Sequence, residues 1–102
     1  MKSFNGKVAA ITGAASGMGR TLALQLAKDG CHVSISDVDT KGLAETVKLV
    51  KAANPNIKVT SQQLDVSNRD AMYAWADQTA KDHGKVNLIF NNAGVAYAAP
   101  VE

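Results

Sequence analysis

Four short strand-like runs begin near Val8, Val33, Val59 and Val86, at intervals of 25 to 27 residues. Each is too short for a helix of ordinary length and is bounded by turn-forming or polar residues, the signature of strands buried in a sheet. Between them lie three stretches in which apolar positions recur one turn apart. A strand-then-helix unit repeated at this period predicts an α/β chain with a parallel sheet of four strands and three helices.

The first helix is expected over Arg20 to Asp29, with Leu22 and Leu26 on one face and Gly30 as a left-handed cap. The second is expected from Thr40 to Ala53, carrying Leu43, Val47 and Val50 inward and ending at Asn54-Pro55. For the third, Ser67 followed by Asp70 reads as a capping box, Ala71, Trp75 and Thr79 form the inner face, and Gly84 closes it. Trp75 and Tyr73 are read as packing and surface groups. Right-handed crossovers then give the strand order 3-2-1-4, with a reversal beside the first strand where a ligand can enter at the carboxyl ends.

Composition narrows the classes. The chain has 102 residues, 46% hydrophobic, enough for one domain, and no low-complexity stretch or linker divides it. Eleven basic and nine acidic residues leave a formal charge of +2 with no basic block, which disfavours nucleic acid as a partner. The longest apolar run near the start, Val8 to Ile11, is too short for a membrane span or a leader core. The single cysteine, Cys31, excludes an internal disulfide and is read as a small buried hydrophobe. Cys31, His32 and His83 do not have the spacing of a zinc site. The expected location is cytoplasmic.

Candidate chemistry concentrates after the first strand. Gly13, Gly17 and Gly19 stand between Thr12 and the first helix. Amides at a helix start are unpaired and carry the positive end of the helix dipole, so a pyrophosphate can rest on them where no Cβ blocks its approach. Asp37 ends the second run 18 residues past Gly19, close to the position at which a dinucleotide fold places an acid for the ribose hydroxyls. Met18 lies five residues after Gly13 with no Gly-Lys pair, which excludes a triphosphate loop.

The segment Thr12-Gly13-Ala14-Ala15-Ser16-Gly17-Met18-Gly19 resembles the cofactor loop of the short-chain dehydrogenase/reductase family. Asp65-Val66 follows the third strand, where that family carries an acid reaching the adenine amino group. Asn91-Asn92-Ala93-Gly94 follows the fourth and is similar to the family's Asn-Asn-Ala-Gly signature, which ties the central strands together and passes beside the nicotinamide ribose. The resemblance covers about Lys7 to Glu102 and implies a Rossmann-type doubly wound sheet, here as the amino-terminal half of a longer domain. It also implies hydride transfer between a nicotinamide cofactor and an alcohol or ketone, in a complete enzyme that is a homo-oligomer.

The cofactor expected is NAD(H), because the Asp37 carboxylate would meet the 2′-phosphate of NADP as a like charge. Val38 and Ser16 occupy places where NADP-using members often carry a basic residue, and Arg20 is the one cation near enough to offset that charge. The family's catalytic tyrosine and the lysine four residues later are missing from the chain: Asp77 follows Tyr73 at that distance, and Val101 follows Tyr97. Without a positive neighbour a phenol of pKa near 10 does not serve as an acid/base near neutrality. The 102 residues are therefore expected to bind cofactor without turnover. The other reading is a non-catalytic nucleotide-binding or interaction module complete at this length. The fourth run, Val86 to Phe90, lacks the charge or proline that protects natural sheet edges, which favours a piece of a larger sheet.

Overall fold

The computed structural model describes residues 5–92. Its elements alternate as expected: β1 (Val8–Thr12), α1 (Gly17–Lys28), β2 (His32–Asp37), α2 (Thr40–Ala53), β3 (Val59–Gln63), α3 (Arg69–His83) and β4 (Leu88–Asn91). All strand pairs are parallel and the order is β3-β2-β1-β4. The register sets Ile11 beside Ile35 and Phe90, and Thr12 beside Ser36 and Asn91. The carboxyl ends of β1, β2 and β4 thus finish level, at one rim.

Strand alternation sorts the side chains between two layers. Ala9, Ile11, Val33 and Ile35 point to one face, where they meet Ala23, Leu26 and Ala27 of α1 and Leu43 and Val50 of α2 in the main core. Cys31 is fully buried in the same core, its Sγ donating to the His32 carbonyl, and burial pushes the thiol pKa upward. On the opposite face Ala10 and Leu64 pack with Trp75 of α3. That layer has a polar centre: the Trp75 indole N–H donates to Ser34 Oγ at 3.2 Å, and Ser34 Oγ and Thr79 Oγ1 share a hydrogen bond of 2.8 Å. Each buried polar atom of this trio therefore has a partner, which is what keeps such a layer from being costly. Tyr73 lies on the outer side of α3, 64% exposed.

Helix boundaries depart from expectation at two places. The start of α1 is at Gly17, three residues before Arg20, because the helix runs straight out of the glycine turn. The start of α3 is set by Asn68, whose side chain accepts from the Ala71 amide at 3.0 Å. Ser67 is not the cap: its amide and its hydroxyl both donate to Asp65 Oδ1, in the turn that leads into the helix. Asn68→Ala should accordingly lower the unfolding free energy by about 1 kcal/mol. Ser67→Ala should cost only a few tenths by comparison, since the cap survives. Urea titrations of the two variants would separate them.

β4 begins two residues later than Val86. The Asn87 side chain explains the delay, because its Oδ1 accepts from the Val8 amide at 2.9 Å while its own amide donates to the Val8 carbonyl. Val86 instead packs into the cluster under α3. Among the described residues β4 is an outer strand of the sheet, and Ile89 is 72% exposed.

Candidate functional site

The glycine turn, Asp37, Asp65 and Asn91-Asn92 all lie at the carboxyl-end rim of the sheet, next to the point where the strand order reverses. Gly13 adopts φ +67° and Gly17 φ +58°, which carry the backbone out of β1 and around into α1. Gly19 is needed for a different reason. A Cβ there would lie 2.0 Å from the Gly13 carbonyl oxygen, so the first turn of α1 touches the strand end backbone to backbone.

The amino end of α1 differs from those of the other two helices. Asp39 caps α2 and Asn68 caps α3 through their side chains, whereas Ser16 at the start of α1 makes no such bond. Ser16, Gly17 and Met18 are exposed. Met18, 79% exposed, lines a shallow groove of about 240 Å³ with Leu22, Phe90, Asn91 and Asn92.

Asp37 stands directly against this turn. Its Oδ2 accepts from the Ala15 amide at 2.9 Å and its Oδ1 from the Asp39 amide at 3.0 Å. Its backbone carbonyl holds the Leu64 amide, and the neighbouring Ser36 carbonyl holds the Ala14 amide. A carboxylate offers about four lone-pair positions, so with these two bonds made it can still accept two more, one on each oxygen.

The end of β4 is stitched to β1 and to the turn. Thr12 Oγ1 donates to Asn91 Oδ1 at 2.9 Å, and Asn92 Nδ2 donates to the Gly13 carbonyl at 3.3 Å. The two asparagines therefore link the strands on either side of the reversal. Ala93 and Gly94 lie outside the described residues.

Asp65 is exposed at the same rim, and the two bonds from Ser67 hold its carboxyl below the usual carboxylate range. Val66 is half-buried against the Ala10, Leu64 and Trp75 cluster, so it has a packing role whatever else it touches.

Arg20 does not stand free beside the turn. Its Nε donates to Thr46 Oγ1 at 2.8 Å, and its Nη2 donates to the carbonyls of Ala15 and Gly42. The guanidinium is thus turned toward α2. Thr46 has a part that the sequence reading missed: fully buried, it reaches the Ala14 carbonyl at 2.7 Å. Its position between Leu43 and Val50 on the inner face of α2 is the available signal, since a threonine there must find a polar partner.

Among the described residues no cluster of three or more His, Cys, Asp or Glu could hold a metal ion, and no helix is long and apolar enough to cross a membrane.

Known proteins are similar to this chain in sequence and fold. SadH of Mycobacterium tuberculosis is 49% identical over 102 residues, covering all of this chain and 36% of that protein. A short-chain dehydrogenase/reductase from Burkholderia phymatum, solved in complex with NAD, superposes with a TM-score of 0.85 at 46% identity, over 93% of this chain and 33% of that one. A short chain dehydrogenase from Mycobacterium paratuberculosis, solved bound to NAD, gives 0.84 at 32% identity, over 97% and 40%. The chain therefore spans about a third of the length of such relatives. A sequence profile described as short chain dehydrogenase matches residues 7–102. With the 3-2-1-4 sheet, the glycine turn and the paired asparagines all in place, the chain belongs to the short-chain dehydrogenase family.

Proposed function

We propose that these residues are the amino-terminal, NAD(H)-binding part of an oxidoreductase that transfers hydride between the nicotinamide and an alcohol or ketone. The observation that carries the reading is the pairing of an uncapped, exposed helix start with a carboxylate bonded to the same turn, 2.9 Å from the Ala15 amide. The first accepts a diphosphate and the second a diol, and a nicotinamide adenine dinucleotide presents both groups.

In this reading Gly13, Ser16, Gly17, Met18 and Gly19 hold the diphosphate through main-chain N–H groups. Asp37 takes the two hydroxyls of the adenosine ribose on its remaining lone pairs. Asp65 and Val66 border the adenine, and Asn91, Asn92, Ala93 and Gly94 border the nicotinamide ribose, with Met18 beside the ring. When bound, the cofactor supplies the hydride acceptor or donor. The chain's own residues bind and orient it, and the side chains that move the substrate proton are assigned to the remaining two-thirds of a full-length relative. One domain over residues 1–102, continued in a longer sheet, is part of the same proposal, as is homo-oligomer formation by the complete enzyme in the cytoplasm.

The test is NADH binding to the 102-residue polypeptide, followed by the change in NADH fluorescence and by competition with ADP-ribose. Saturable binding that ADP-ribose displaces, with no oxidation of secondary alcohols by the polypeptide and NAD+, is expected. Absence of NADH binding by folded polypeptide would overturn the cofactor assignment, and alcohol turnover would overturn the placement of the proton-transfer groups.

A further inference from the structure

We propose that Arg20 is a positioning residue for the cofactor, locking the Ala15 peptide so that Asp37 and the turn amides present a fixed surface; this rests on the NAD(H) reading above. The lock is visible as a closed set of bonds around two successive peptide units. The Ala14–Ala15 peptide gives its carbonyl to Thr46 Oγ1 at 2.7 Å and its N–H to Asp37 Oδ2 at 2.9 Å. The next carbonyl, that of Ala15, accepts from Arg20 Nη2, which also donates to the Gly42 carbonyl at 3.0 Å.

Donor counting shows why an arginine is required. The Thr46 hydroxyl has one hydrogen, and the Ala14 carbonyl at 2.7 Å is nearer than the Gly42 carbonyl at 3.1 Å. The Gly42 carbonyl is then served by Arg20 Nη2, while Arg20 Nε fills a lone pair on Thr46. A planar fork with fixed donor directions meets all of these acceptors at once, whereas a lysine ammonium is a point donor on a flexible stem. Two helices are joined in the process, since Arg20 belongs to α1 while Gly42 and Thr46 belong to α2. The approach is close enough that a Cβ on Gly42 would lie 2.8 Å from the Ala15 carbonyl oxygen.

Two consequences follow for binding. Arg20 Nε and Nη2 are committed to α2 and the turn, so these donors are not available to a 2′-phosphate beside Asp37, and Arg20→Lys, which keeps the charge, separates loss of the fork from loss of the cation. And one of the two amides that hold Asp37 is that of Ala15, so loss of Arg20 loosens that peptide, leaves the carboxylate anchored through Asp39 alone, and weakens both its grip on a ribose and its rejection of a 2′-phosphate. The effect on selectivity separates positioning from simple support of the fold, which would weaken NADH and NADPH equally.

The experiment compares the unaltered chain with Arg20→Met, Arg20→Lys and Thr46→Val in two measurements. In the first, made without cofactor, hydrogen exchange of the Ala15 amide relative to that of Ile35 should rise about tenfold in Arg20→Met and Arg20→Lys, the equivalent of one charge-assisted hydrogen bond. Thr46→Val loses the donor to the Ala14 carbonyl and the acceptor of Arg20 Nε but keeps both Arg20 Nη2 bonds, so it should show a smaller rise. In the second, the ratio of the NADPH to the NADH dissociation constant should fall about tenfold in both Arg20 variants. Unchanged Ala15 exchange, or exchange that rises equally at Ile35, would overturn the lock. An unchanged ratio in variants whose Ala15 exchange has risen would overturn the positioning role. If no form binds NADH, the cofactor reading fails and the positioning role with it, while the exchange result still decides whether Arg20 holds the peptide.

Discussion

Asp37→Ala should lower the preference for NADH over NADPH by a factor on the order of 100 to 1000. In the unaltered chain the carboxylate would face the 2′-phosphate of NADPH as a like charge. Two unit charges about 4 Å apart in an effective dielectric near 20 interact by about 4 kcal/mol, and roughly 1.4 kcal/mol is tenfold. Asp37 is only half-buried, so solvent screening draws the factor toward the lower end of that range. Alanine also removes the bonds to the Ala15 and Asp39 amides and so loosens the turn. Both dissociation constants are measured on the same variant, however, so their ratio cancels much of that general loss. Asp37→Asn supplies a companion, since an amide removes the charge while keeping an acceptor for one of the two main-chain N–H groups. Its ratio should move in the same direction as that of alanine. A ratio unmoved in both variants would show that Asp37 does not set the choice of cofactor.

Gly19→Ala should destabilise the chain by about 3 kcal/mol or more, beyond the usual cost of one added methyl in a packed site. The Cβ would stand 2.0 Å from the Gly13 carbonyl oxygen and 2.7 Å from its carbon, both backbone atoms that no rotamer change can move away. α1 must retreat from β1, and the Gly13 carbonyl, which accepts from Asn92, must turn with it. Gly17 makes a control within the same turn. Its Cβ would meet nothing within 4 Å, and only its φ of +58° opposes a side chain. Gly17→Ala should therefore cost about 1–2 kcal/mol through conformation alone. Gly17→Asn should cost less still, because asparagine tolerates the left-handed region better than alanine does. Chemical denaturation of the three variants gives the ranking. Equal losses at Gly19 and Gly17 would contradict the close contact of helix and strand.

The repeat of strand-like runs at a 25-to-27-residue period carried most of the fold on its face, and β1, buried along its whole length, stands out most from its surroundings. α2 runs from Thr40 to Ala53, the bounds its pattern predicts, since Asp39 and Asn54-Pro55 punctuate both ends. Gly84 ends α3 in the left-handed conformation for the same local reason. What escaped the sequence depends on partners distant along the chain or on a choice among near-equivalent polar neighbours. Ser67 and Asn68 are both good caps, and only the path of the turn from Asp65 decides between them. The late start of β4 comes from Asn87 reaching Val8, a partner 79 residues away. Arg20 shows the same limit most clearly. Its sequence position beside a glycine turn at a helix start suggests an anion partner, yet the fold brings α2 alongside and supplies two carbonyls and a hydroxyl instead. The candidate site was legible as a set of motifs at strand ends, while the bonds that hold its parts to one another were not.

The most direct measurement is the structure of the chain with NAD+ bound. The diphosphate oxygens should lie about 3 Å from main-chain N–H groups at the start of α1, with the Asp37 carboxylate accepting from the adenosine ribose hydroxyls at the same range. An adenosine bound away from the glycine turn, or a ribose that leaves Asp37 without a contact, would contradict the account.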